Sequence, residues 1–112
     1  MGQDSDKLYA KPAKFSGLVE YQSDAIVSRM VIKKDAGTVT LFAFDKGQSL
    51  STHSAPYDAL VQVIDGEAKI TIAEKKFVVT CGEMIVLPAN IAHSVSAKEK
   101  MKMVLVMIKE KG

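Results

Sequence analysis

The chain has a single cysteine, Cys81, in 112 residues. No internal disulfide can form, so the fold must rest on its apolar core. One unpaired thiol fits a reducing compartment. Arginine is equally scarce, with Arg29 the only one. Because arginine is the favoured bidentate partner of phosphate, its scarcity argues against an extended phosphate-binding cluster. There is no basic block either. Lysines and acids are interspersed and the net charge is only +2, which argues against a nucleic-acid surface. No apolar run reaches the length of a membrane span. The opening Met1-Gly2-Gln3-Asp4-Ser5-Asp6-Lys7 is polar and acidic, unlike a signal peptide. A glycine-rich phosphate loop, a serine nucleophile elbow and a paired acidic motif are all missing. The expectation is a soluble, cytoplasmic protein with neither nucleic acid nor membrane as partner.

Sustained helical periodicity is the last absence. In its place stand short β-rich runs separated by turn signals. Apolar residues make up 47% of the chain, enough for one core, and the length suits one domain. Residues 1–14, polar and broken by Pro12, read as an N-terminal arm, and 15–112 as a single barrel domain. Leu18–Tyr21 is a weak first strand. Ala25–Lys33, Thr38–Phe44, Ser51–His53, Ala59–Ile64, Ala68–Ala73, Phe77–Thr80, Met84–Leu87, Ala92–Ala97 and Lys102–Ile108 follow, rich in β-branched and apolar residues. Asp65-Gly66 between two apolar runs reads as a tight hairpin, and Glu74-Lys75-Lys76 as a charged turn. Regularly spaced short strands predict an all-β sandwich or barrel. Met30, Met84, Met101, Met103 and Met107 are expected to fill its interior, and Cys81 to be a small buried hydrophobe.

Only two histidines occur, each downstream of a glycine turn. Gly47, His53 and Gly66 stand in one segment, and Gly82, Pro88 and His93 in the other. This layout resembles the two signature motifs of the cupin superfamily. The first runs Gly, five residues, His, one residue, His, three or four residues, Glu, six residues, Gly; Gly47, His53 and Gly66 match, while Ala55 and Ala59 occupy the second His and Glu positions. The second runs Gly, five residues, Pro, one residue, Gly, two residues, His, three residues, Asn; Gly82, Pro88 and His93 match, with Asn90 and Ala97 at the remaining places. Asn90 can adopt the left-handed conformation that glycine would supply.

The resemblance implies a double-stranded β-helix, or jelly roll, an all-β cupin barrel that holds a metal between histidines. The superfamily hosts dioxygenases, isomerases, sugar epimerases and non-catalytic binding proteins. With His53 pointing inward, strand alternation puts Ala55, Ala59, Val61 and Val63 on the same face, and groups His93 with Val95 and Ala97. A pocket lined by Ala55, Tyr57, Ala59 and Val61 is expected beside the two imidazoles.

A catalytic zinc or iron site usually takes three protein ligands. Here the resemblance supplies His53 and His93 alone. Asp58 has the wrong parity, Gln62 faces away, and Cys81 is remote from the predicted mouth; Tyr57 has the right parity. A two-histidine site would favour copper, nickel or zinc over manganese or iron. The leading expectation is a barrel that binds a small molecule with His53 and His93 as its polar anchors. The alternative is a metal-dependent enzyme, dioxygenase- or isomerase-like, with an incomplete ligand set. A homodimer is expected, with the N-terminal runs and arm as its contact, because uncovered strand edges invite pairing.

Overall fold

A computed structural model of the chain describes residues 8–109. Within them nine strands carry the fold: β1 (Ile26–Lys34), β2 (Gly37–Phe44), β3 (Ser49–His53), β4 (Ala59–Asp65), β5 (Glu67–Ile72), β6 (Lys75–Thr80), β7 (Met84–Leu87), β8 (His93–Ser96) and β9 (Met101–Ile108). They form two antiparallel sheets, one ordered β1-β2-β9-β4-β7 and the other β3-β8-β5-β6. Successive strands repeatedly change sheet, which makes a jelly roll. No α-helix occurs among the described residues.

The core follows from alternation. Along β4 the inward residues Ala59, Val61 and Val63 are buried, while the outward Leu60, Gln62 and Ile64 are half-buried. Phe44, Ile70, Met101 and Met103 meet them between the sheets. A second cluster, Val19, Leu41, Ala43 and Val104, lies on the outer side of the five-stranded sheet.

That outer cluster corrects the expected first strand. Leu18–Tyr21 pairs with no strand. A single 3-10 turn at Phe15–Gly17 leads into it, and Leu18, Val19 and Tyr21 lie over one end of the sheet as a strap. The Arg29 guanidinium donates to the Leu18 carbonyl at 3.1 Å, and the Lys102 ammonium donates to the Ser16 carbonyl at 2.7 Å. The lone arginine is thus a structural clamp. Tyr21 donates its hydroxyl to Asp65. Burial, then the bond and the charge of Asp65, push its phenol well above the ordinary range. The described part of the arm, 8–14, is mostly exposed; Met1–Lys7 lie outside the described residues.

Asp65-Gly66 is not a hairpin. It carries the chain from β4 in one sheet to β5 in the other. Gly66 has φ of +73°, and a Cβ there would sit 2.3 Å from the Lys100 carbonyl oxygen. The glycine is therefore needed for a close backbone crossing. The true β5–β6 hairpin turns at Ala73-Glu74, both at positive φ, so Lys75 and Lys76 belong to β6 rather than to the turn. Asn90 has φ of +64°, the left-handed conformation expected of it. Two burial expectations fail. Met30 and Met84 face solvent, 37% and 57% exposed, because one lies on edge strand β1 and the other points outward from edge strand β7. Cys81 is exposed as well, since the β6–β7 turn lies outside the core.

Candidate functional site

The site forms where β3 and β8 pair at one side of the four-stranded sheet. Leu50 lies opposite Val95 and His53 opposite His93. Three steps along β3 therefore match two along β8, the mark of a β-bulge. Simple alternation would send Leu50 and His53 to opposite faces. The bulge turns both toward the cavity they line.

That cavity lies between the sheets. Its centre offers about 50 Å³ in which a water-sized sphere can be placed, room for about four waters or a comparably small organic group. Ala55, Tyr57, Ala59 and Val61 line it with both imidazoles, and Leu87, Leu105, Met103 and Met107 complete the apolar walls. Leu50, Leu87 and Leu105 join the lining without a signal in the sequence motifs. The facing of Leu105 follows from its pairing with Val61, a register that a single strand's pattern does not reveal.

Burial divides the histidines. His93 is 7% exposed, whereas His53 stands exposed at the rim. Their rings meet edge to face with centroids 4.4 Å apart. Each turns Nδ1 back to the carbonyl two residues earlier, His53 to Ser51 at 2.9 Å and His93 to Ile91 at 3.2 Å. Their Nε2 atoms face each other at 3.2 Å.

These three contacts each require one proton. Two neutral imidazoles carry only two N–H groups between them. The pair is therefore one donor short. Burial decides where the deficit falls. His93, enclosed and next to the Ile91 carbonyl, keeps its proton on Nδ1 and presents Nε2 as an acceptor. At exposed His53 water can replace either contact. Burial, followed by the proximity of His53, holds the His93 imidazolium below its ordinary range against the opposing pull of the Ile91 carbonyl, which keeps the ring neutral near pH 7. With both protons on Nδ1, the site offers two inward lone pairs to an arriving donor.

The other predicted residues have structural duties. The Asp58 carboxylate accepts the Ala89 N–H at 2.8 Å, bracing the loop after β7. Tyr57 lines the cavity and carries the Lys109 ammonium over its ring at 5.7 Å. Among the described residues no three His, Cys, Asp or Glu side chains come together as a metal-binding group. The residues present therefore do not fit a three-ligand catalytic metal centre.

A jelly roll with two histidines converging on an apolar interior defines the class. The Cupin domain model matches residues 40–109, so the chain belongs to the cupin family. Among solved structures it is similar to a conserved protein of unknown function from Streptococcus pyogenes, 36% identical over 93% of this chain and 91% of that one, with a TM-score of 0.88. A cupin 2 conserved barrel domain protein from Leptotrichia buccalis is 46% identical, with a TM-score of 0.81 over 84% of this chain; the match spans only 46% of that protein. A cupin superfamily protein from Desulfitobacterium hafniense is 25% identical over 90% of this chain and 93% of its own, with a TM-score of 0.86. No curated protein matches.

Proposed function

We propose that this barrel binds a small, largely apolar molecule through a hydrogen-bond donor, such as a hydroxyl, presented to His93 and His53. The observation that carries this reading is two facing Nε2 atoms at the rim of an otherwise aliphatic hollow, in a pair whose three contacts need one proton more than two neutral imidazoles carry. A donor ligand satisfies the acceptors, while an acceptor-only ligand leaves them unpaired, and an unpaired buried polar group costs about 1–3 kcal/mol. The chain acts in the cytoplasm in this reading, in keeping with an exposed free thiol at Cys81.

Three probes of similar size separate the chemistry: 1-butanol, which donates, and 2-butanone and butyrate, which at neutral pH only accept. Methyl-detected NMR of Met103 and Met107 reads occupancy directly. Butanol should shift these signals with roughly millimolar affinity, equivalent to about 4 kcal/mol, and lose that response in His53→Ala. Equal or tighter binding of butanone or butyrate would overturn the reading.

A second reading is favoured by the same two lone pairs: a divalent transition ion, with zinc, nickel or copper ahead of iron or manganese, bound between the imidazoles and completed by substrate in a dioxygenase- or isomerase-like enzyme. Elemental analysis of untagged protein tests it. Near one equivalent of metal, lost in His93→Ala, would favour this second reading; trace metal would count against it.

A further inference from the structure

The cavity that holds the two imidazoles also holds sulfur. Met107 and Met103 of β9 line it together with His53 and His93. Met107 stands directly opposite Ala59 across the β4–β9 ladder. Side chains opposed in this way lie about 4.5–5.5 Å apart at Cβ. The single methyl group of Ala59 leaves the unbranched, flexible Met107 side chain room to bring its thioether across the cavity wall.

Register decides which methionine meets the histidines. Strands β5 and β9 begin side by side, where Gly66 approaches the Lys100 carbonyl. His93 pairs with Ile72 at the far end of β5, and Met107 stands near the far end of β9. Met103 lies back toward the start of β9, about 14 Å along the strand from Met107. Met107 is therefore the thioether at the histidine end.

The imidazoles have the setting of metal ligands. Each Nδ1 faces a backbone carbonyl, Ser51 at 2.9 Å and Ile91 at 3.2 Å, the contact that fixes the tautomer and aims the Nε2 lone pair at an ion. Two imidazole nitrogens bound at about 2.0–2.1 Å in a tetrahedral array stand about 3.3–3.4 Å apart. Here the two Nε2 atoms are 3.2 Å apart, so the rings need little movement. Donor chemistry then selects the ion. Among the described residues no third His, Cys, Asp or Glu joins the pair. Manganese thus lacks the oxygen donors it favours, whereas imidazole with thioether suits copper(I). The aliphatic walls also favour a single charge over a double one.

We infer that His53, His93 and Met107 form a site for monovalent copper, with a soft thioether opposite the position where the motif carries a carboxylate. The inference rests on the imidazole pair acting as ligands, as in the second reading above. It adds the third donor and the oxidation state.

Anaerobic titration of copper(I) against the chelator bicinchoninate tests it, with Cys81→Ser in every protein so that the exposed thiol takes no metal. One equivalent should bind, about tenfold or more tighter than zinc or nickel. Met107→Leu, which nearly conserves volume, should weaken copper(I) about tenfold or more and leave zinc within about twofold. Met103→Leu and outward-facing Met84→Leu should leave copper(I) within about twofold. X-ray absorption of the copper-loaded parent should show sulfur beside nitrogen, and this decides the matter if circular dichroism finds Met107→Leu unfolded. Copper held by nitrogen alone, or equally well by folded Met107→Leu, overturns the inference. Tighter binding of zinc or nickel also overturns it while the second reading stands. Protein that takes no metal at all fails both, and leaves the donor-ligand reading to its own test with butanol.

Discussion

Restoring the two alanine positions should build a metal centre on the existing histidine pair. The double substitution Ala55→His and Ala59→Glu adds an imidazole and a carboxylate to the walls of the cavity that His53 and His93 already line. The two additions differ in cost. Ala55 is half-buried, so a neutral imidazole there remains within reach of water. Ala59 is only 8% exposed, among aliphatic neighbours, and a carboxylate there pays a desolvation penalty or takes up a proton. A loss of about 2–3 kcal/mol follows without metal, and at roughly 4–8 °C per kcal/mol the melting temperature should fall by about 10–20 °C. Nickel or manganese at a hundred times its dissociation constant returns about 2.7 kcal/mol, nearly cancelling the loss. Melting curves of wild type, both single variants and the double variant, with and without NiCl₂ or MnCl₂, read both effects. A double variant that responds to metal no more than wild type would show that the four side chains do not converge, and would refute the register inferred from the two motifs.

Acid should act through His93. Its folded-state value lies below the ordinary 6.5 because burial disfavours the imidazolium. Its contribution to stability is therefore fully present above that ordinary value and is lost as pH falls toward the folded one. Melting temperature should decline below about pH 6.5 in wild type and less steeply in His93→Gln; parallel curves would contradict this assignment. Gly66→Ala combines left-handed backbone with a Cβ 2.3 Å from the Lys100 oxygen, so urea unfolding should show a loss of about 3–4 kcal/mol. Asn90→Gly, at φ of +64°, where glycine is free of strain, should change stability by under about 1 kcal/mol.

The strands were legible because β-branched runs alternate cleanly and because Gly47, Gly82 and Pro88 mark where they stop. Side-chain parity, once one histidine was placed inward, correctly grouped Ala59, Val61 and Val63 on the buried face of β4. The failures share one physical origin, contacts remote in sequence. Asp65-Gly66 has the composition of a hairpin, and only the approach of Lys100 to its backbone shows why glycine is required at a crossing between sheets. Leu18–Tyr21 has strand-like composition, yet it forms a strap because Arg29 and Lys102 hold backbone carbonyls on or next to it. Met30 and Met84 resemble core residues until the sheet order places both on edge strands. The bulge in β3 has no marker in Ser49–His53, although it brings Leu50 into the cavity wall beside His53. The proton deficit was equally hidden, since it depends on two backbone carbonyls engaging Nδ1 on both rings.

The most direct measurement is the tautomer of His93, read from its two imidazole ¹⁵N signals in ligand-free protein at neutral pH. The facing rings predict a proton on Nδ1, held by the Ile91 carbonyl, and a bare Nε2 that shifts when 1-butanol binds. A proton on Nε2 with Nδ1 bare would leave the cavity without its acceptor and contradict the donor-ligand reading at its source.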